Sequence, residues 1–193
     1  MNAKIFMTDG FETVEALAVA DLLRRAEIET ELISVTGRKE VTSAQNVVIT
    51  ADRLFRNSTS EPEETADLLF LPGGPGSFTG NFPFEKIKGL KELFLRQNDE
   101  EKLIAAICAA PSVLGHWGLL RNRRATAFPG FEKELTGAMV EKAPARVVAD
   151  GNIITARGMG TALDLGLAIV GRLLGDDEAQ KLGVEAQYLE EGE

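Results

Sequence analysis

Two hydrophobic rhythms alternate along the chain. Short apolar runs bounded by Gly, Asp or Pro recur at Lys4–Thr8, Glu29–Val35, "ADLLFLPGG" and Leu103–Ile107. Runs of that length without polar alternation predict strands buried on both faces. Between Thr13 and Ala26 the rhythm changes: Val14, Leu17, Ala18, Leu22 and Ala26 recur at spacings of three and four, which predicts an amphipathic helix. Further helices are expected over Glu85–Asn98, Pro111–Leu120 and "TALDLGLAIVGRLLG", the last closed by Gly175. "VTSAQNVVITADRLF" predicts one or two short strands leaving the main sheet, and "RATAF" another. "ARVVADGNIITARG" carries a hairpin signal with Asp150-Gly151 as the turn, an addition to the sheet. "NSTSEPEETA" reads as an exposed acidic loop, and "VEAQYLEEGE" as an acidic end that frays.

Strands alternating with helices predict a mostly parallel sheet covered on both faces. With no internal repeat or linker, the expectation is one α/β domain over residues 1–193. A chain of 193 residues, 44% hydrophobic, can bury one sizeable core without staples. The net charge of −9, from 21 basic and 30 acidic residues, repels a phosphate backbone, so no nucleic-acid partner is expected. Arg121, Arg123 and Arg124 read as a solvated loop. No apolar stretch is long enough to span a bilayer, and the first residues lack the pattern of a secretory signal. The single cysteine cannot form an internal disulfide, which fits a reducing, cytoplasmic setting. One cysteine and one histidine argue against a structural zinc site.

In open parallel sheets, ligands bind beyond the carboxyl ends of the strands. "TDGFETVE", "LPGGPGS", "AICAAPS" and "ARGMGTA" all converge on such an edge. Cys108 lies where a strand turns abruptly into a helix, the geometry of a nucleophile elbow. Small neighbours let the chain turn there, and Pro111 suits a first helical turn. A thiol so placed feels the positive end of the helix dipole, which favours thiolate; the competing reading is an ordinary buried cysteine. His116 lies eight residues further on, roughly 12 Å along a helix, and cannot reach back to the sulfur. A surface or packing role is expected for it. Glu15 shares the register of Ala18, Leu22 and Ala26 and so points inward, where burial would keep its carboxyl protonated and able to donate to sulfur. Glu12 reads as a structural residue of the first helical turn. Gly73, Gly74 and Gly76 lack the Lys-Ser/Thr ending of a phosphate-binding loop; the N–H groups of Gly74 and Ala109 read instead as a candidate oxyanion hole. "RGMGTAL" lacks the third glycine of a dinucleotide fingerprint.

"DGFETVEALAVADLLRRA", "NVVITAD", "ADLLFLPGG", "LIAAICAAPSVL", "RATAFPGFEKEL" and "ARGMGTALDLGLAIV", in this order and spacing, resemble the DJ-1/ThiJ/PfpI superfamily and within it the parkinsonism-associated branch. The resemblance implies a flavodoxin-like three-layer α/β sandwich, with a mostly parallel sheet, a nucleophile elbow and an added β-hairpin, usually as a homodimer. It implies Cys108 as the elbow cysteine, Glu15 as the acid bonded to it, and Gly74 and Ala109 as backbone donors. Gly73, Phe128 and Pro129 are implied as pocket residues, with Arg25 near the site at the dimer interface. Three positions depart from relatives: Ala109 stands where protease-like members have histidine, Phe128 where some have histidine, and Gln45 near a second arginine of others. The implied activity is cofactor- and metal-independent conversion of reactive dicarbonyls such as methylglyoxal, with removal of early glycation adducts from proteins as an extension and peptidase activity disfavoured. Two alternatives stay open: an oxidative-stress sensor or chaperone in which Cys108 becomes sulfinic acid, and a non-catalytic relative acting through dimer contacts.

Overall fold

In the computed structural model, the described residues are 1–57, 60, 62–81, 83–140 and 145–190. Their order is β1 (Asn2–Met7), α1 (Thr13–Arg25), β2 (Glu29–Ser34), β3 (Glu40–Thr42), β4 (Val48–Thr50), β5 (Arg53–Leu54), β6 (Leu68–Leu71) and α2 (Pro75–Thr79). There follow α3 (Leu90–Asp99), β7 (Leu103–Ile107), α4 (Ala110–His116), β8 (Arg124–Ala125), β9 (Met139–Val140), β10 (Val147–Asp150), β11 (Ile153–Ala156), α5 (Ala162–Leu174) and α6 (Asp176–Glu185). The main sheet runs β10-β11-β7-β6-β1-β2-β5. All its pairings are parallel except β10 on β11.

The alternation of strand side chains divides the core into two layers. Ile5, Met7, Ala105 and Ile107 face α1, α5 and Leu182 of α6, while Phe6, Ile104 and Ala106 face α3 and α4. Helices therefore cover both faces of a mostly parallel sheet, in the flavodoxin-like manner. The central strands β1, β6 and β7 are nearly free of polar residues because neither face meets water.

Several elements depart from the sequence expectation. The helix expected from Glu85 starts at Leu90, because Gly89 sits at φ +85° and cannot belong to a right-handed helix; Phe84–Lys86 form a separate 3-10 turn. The helix after Cys108 stops at His116, ahead of Gly118 at φ +83°. Asp150 pairs with Ile153, so the hairpin turn is Gly151-Asn152, and β11 is a full member of the sheet beside β7 rather than an addition. On α1, Val14 is 43% exposed, and Ala16, Val19, Ala20 and Leu23 join Leu22 in the core. That helix packs on both the sheet and the neighbouring α5, so it buries a wider arc than one stripe. Glu63 contradicts the exposed-loop reading of its segment: its side chain is 2% exposed and bonds Lys4 at 2.6 Å and Arg53 at 2.7 Å. These cations hold its carboxyl down to about 2 against its burial. Ser58, Thr59 and Glu61 of that segment lie outside the described residues, as do residues 191–193 of the end expected to fray. Helix α6, which that expectation missed, carries Asp176, Asp177 and Glu178 at its favourable N-terminus.

Candidate active site

The carboxyl ends of β1, β6 and β7 lie side by side, and each delivers part of one site. At the end of β7 the Cys108 N–H still bonds Ala156 O at 2.9 Å, continuing the ladder to β11. The backbone then takes φ +65°, left-handed space that costs a side-chain-bearing residue roughly 1–2 kcal/mol, and α4 begins. This sharp reversal lifts the half-buried thiol above the sheet. Its carbonyl accepts the Phe128 N–H at 2.9 Å, tying the elbow to the segment after β8.

Glu15, in the first turn of α1, is fully buried. Its Oε2 accepts the Gly73 N–H at 2.9 Å, and its carboxyl shares a hydrogen bond with the Cys108 side chain. Oε1 is buried without a hydrogen-bond partner of its own. Gly73 is required by space alone: a Cβ there would come within 2.5 Å of Cys108 Cβ and 2.7 Å of Glu15 Oε2. Gly74 is required by conformation as well, at φ +99°. Its N–H and that of Ala109 both bond the Cys108 sulfur.

The expectation of a thiolate set by the helix dipole needs correction. Burial pushes the Cys108 thiol up, the charge and hydrogen bond of Glu15 push it further, and the two N–H donors only partly oppose this, leaving it at about 12. Burial likewise raises Glu15, to about 7, against the hydrogen bonds from Cys108 and Gly73. The two groups therefore titrate as a pair. A thiolate forms within it when the remaining proton resides on Glu15.

Above the sulfur lies an open cleft of about 340 Å³, lined by Glu12, Gly74, Pro75, Phe78, Thr79, Cys108, Ala109, Phe128 and Phe131. Phe78 and Phe131 meet edge to face, with ring centroids 5.5 Å apart. Glu12 stands at the cleft with its carboxylate held by Gln45 Nε2 at 2.7 Å, so its place is more than the structural one expected. Sequence reasoning missed Phe78 and Phe131, which sit on or beside elements too short to show a period.

Of the residues implied in or near the pocket, Phe128 lines the cleft, Gly73 lies against Cys108 and Glu15 without lining it, and two lie away from it within the chain. Arg25 is ten residues beyond Glu15 on α1, about 15 Å along the axis, where it pairs with Asp21 at 2.7 Å. Pro129 follows Phe128 but is exposed and does not line the cleft. His116, at the far end of α4, contacts Glu85 and Glu134 rather than the thiol. Among the described residues no group of three or more His, Cys, Asp or Glu is placed to hold a metal ion. No described helix is long and apolar enough to cross a membrane.

The sequence and the fold recur in known proteins. The model of the DJ-1/PfpI family matches residues 1–172. Protein DJ-1 homolog A of Arabidopsis thaliana is 33% identical over 175 residues, which are 90% of this chain but 43% of that longer protein. A protein of Pyrococcus abyssi named as a deglycase is 31% identical over 157 residues, covering 81% of this chain and 90% of its own. The solved structure of oxidized Toxoplasma gondii DJ-1 superposes with a TM-score of 0.88 at 29% identity, over 98% of this chain and 99% of that one. The family model spans β1 through most of α5, and the chain belongs to the DJ-1/PfpI family.

Proposed function

We propose that this protein is a cofactor-independent, cysteine-dependent enzyme that converts reactive 2-oxoaldehydes such as methylglyoxal into 2-hydroxy acids. Cys108 is the nucleophile and Glu15 the acid and base. The observation that supports this best is the buried Glu15 carboxyl bonded to a half-buried thiol on the floor of an apolar cleft. A carboxyl raised to about 7 can both give and take a proton near neutral pH.

The sulfur adds to the aldehyde carbon while Glu15 protonates the carbonyl oxygen, giving a hemithioacetal. The Glu15 carboxylate then removes the proton from that carbon to form an enediol. Returning the proton to the neighbouring carbon yields a thioester of lactate. Water hydrolyses the thioester, releasing lactate and restoring the thiol, so the sum is methylglyoxal plus water giving lactate. No external oxidant or reductant enters. The Gly74 and Ala109 N–H groups stabilise charge on sulfur during attack and departure. The deglycase name of the Pyrococcus abyssi relative points to the same carbon presented as an early adduct on a protein amine. The working unit is a homodimer, as the resemblance implies, in the reducing, cytoplasmic setting that a single free cysteine fits.

Lactate formed from methylglyoxal by wild type, Cys108→Ser and Glu15→Gln tests the reading. Wild type should produce it, Cys108→Ser should not, and Glu15→Gln should fall by about 100-fold or more. Equal lactate from wild type and Cys108→Ser would sink the proposal.

A further inference from the structure

We infer that Phe78, Phe128 and Phe131 set the specificity of the cleft, which prefers neutral 2-oxoaldehydes bearing an aryl or branched alkyl group to methylglyoxal and to anionic analogues. The inference rests on the enzymatic reading above and names its substrate class. Three phenylalanines are among the nine residues that line this open cleft of about 340 Å³. A substrate whose only substituent is a methyl group, held at Cys108, leaves most of that space unfilled. An aryl group on the same carbonyl reaches the rings and meets them in the offset or edge-on arrangements aromatic pairs favour.

The wall is backed by fixed groups. The Phe78 ring has its edge-to-face partner in Phe131 and the His116 ring behind it, with centroids 6.0 Å apart. His116 is itself held by Glu85 at 2.5 Å and Glu134 at 3.1 Å, on the 3-10 turns at Phe84–Lys86 and Glu132–Glu134. Phe128 is 46% exposed at the cleft, yet its N–H is bonded to Cys108 and its ring rests against Gly158, where a Cβ would approach it to 3.2 Å. Such a wall is already in place before a ligand arrives, so little ordering opposes binding.

Charge points the same way. None of the lining residues is Lys, Arg or His. The Glu12 carboxylate faces the site and acts on Glu15 as a like charge, while the Gln45 amide beside it is already bonded to Glu12. Within one chain, a substrate carboxylate in the cleft would meet that like charge and no cation among the lining residues.

The test compares kcat/KM for phenylglyoxal, 4-carboxyphenylglyoxal and methylglyoxal, following the corresponding 2-hydroxy acids. Phenylglyoxal should exceed both others by about tenfold, the discrimination a well-filled apolar pocket gives. Phe131→Ala and Phe78→Ala should cut the phenylglyoxal-to-methylglyoxal ratio by about tenfold, mainly through KM. A wild type that favours methylglyoxal or the carboxylated compound, or variants that lower both neutral substrates equally, overturns the inference. A second measurement needs no turnover: protection of Cys108 from iodoacetamide by acetophenone and by benzoate. Protection by acetophenone alone, lost in Phe131→Ala, supports the specificity of the cleft even if no aldehyde is converted, an outcome that would remove only the enzymatic reading. Equal protection by benzoate, or none by acetophenone, removes the specificity.

Discussion

Replacing Glu15 by glutamine should change how stability depends on pH more than it changes stability at any one pH. Glu15 has no exposed surface, and its carboxyl rises from 4.5 to about 7 chiefly through burial. Between those values the folded chain holds a proton that the unfolded chain has lost. The stabilising contribution of this protonated group is therefore complete below pH 4.5 and fades as pH climbs through about 7. At about 1.4 kcal/mol per pH unit, the displacement corresponds to about 3 kcal/mol. The result holds whichever member of the Glu15–Cys108 pair releases the proton, since the pair as a whole retains it. Urea unfolding of wild type and Glu15→Gln at intervals from pH 4 to 8 measures the effect. The other titrating groups largely cancel in the difference between the two proteins. Relative to wild type, the variant should gain about 3 kcal/mol from the acid to the alkaline end, whatever its offset at pH 4. Parallel curves would refute the reasoning, showing that the Glu15 carboxyl ionises as readily when folded as when unfolded.

Two further outcomes follow from the elbow. Gly73→Ala forces a methyl group against Cys108 Cβ and Glu15 Oε2, so it should cost about 1–3 kcal/mol by denaturant unfolding and slow alkylation of Cys108; an alanine that leaves both unchanged would mean that β6 can shift away without consequence. Cys108→Gly and Cys108→Ala both remove the sulfur, but only glycine relieves the left-handed backbone at φ +65°. The glycine variant should therefore be the more stable of the two by about 1 kcal/mol, and the reverse order in thermal unfolding would show the elbow to be unstrained.

The sheet was legible because β6 and β7 are unbroken apolar runs and β1 is broken only by Lys4, and a run buried on both faces leaves few alternatives. Cys108 was legible from a strand meeting Pro111, and Glu15 from an ionisable residue within an apolar stripe. The stripe itself was misplaced: Val14 is exposed and Val19 buried, because α1 packs on two neighbours and a single-face rule sees only one. Phe78 and Phe131 gave no signal, since α2 and the turns around Phe131 are shorter than any hydrophobic period. Glu63 looked solvated because its partners, Lys4 and Arg53, come from distant strands. Arg25 was implied by resemblance, and helix rise carries it away from the thiol within one chain.

The parallel alignment of β1, β6 and β7 has one more consequence. Leu71 opposite Ala106, and Ile5 opposite Phe70, fix how far Gly73, Glu15 and Cys108 travel past the sheet edge. A slip of one residue would displace a donor by about 3.3 Å, more than a hydrogen bond tolerates. The glutamate and the cysteine lie far apart along the chain, so they meet only after three strands have found their register. During synthesis Cys108 is an unremarkable thiol in an open segment. Folding buries it beside Glu15 and pushes the thiol up, so the slowing of its alkylation is a clock for the assembly of the sheet.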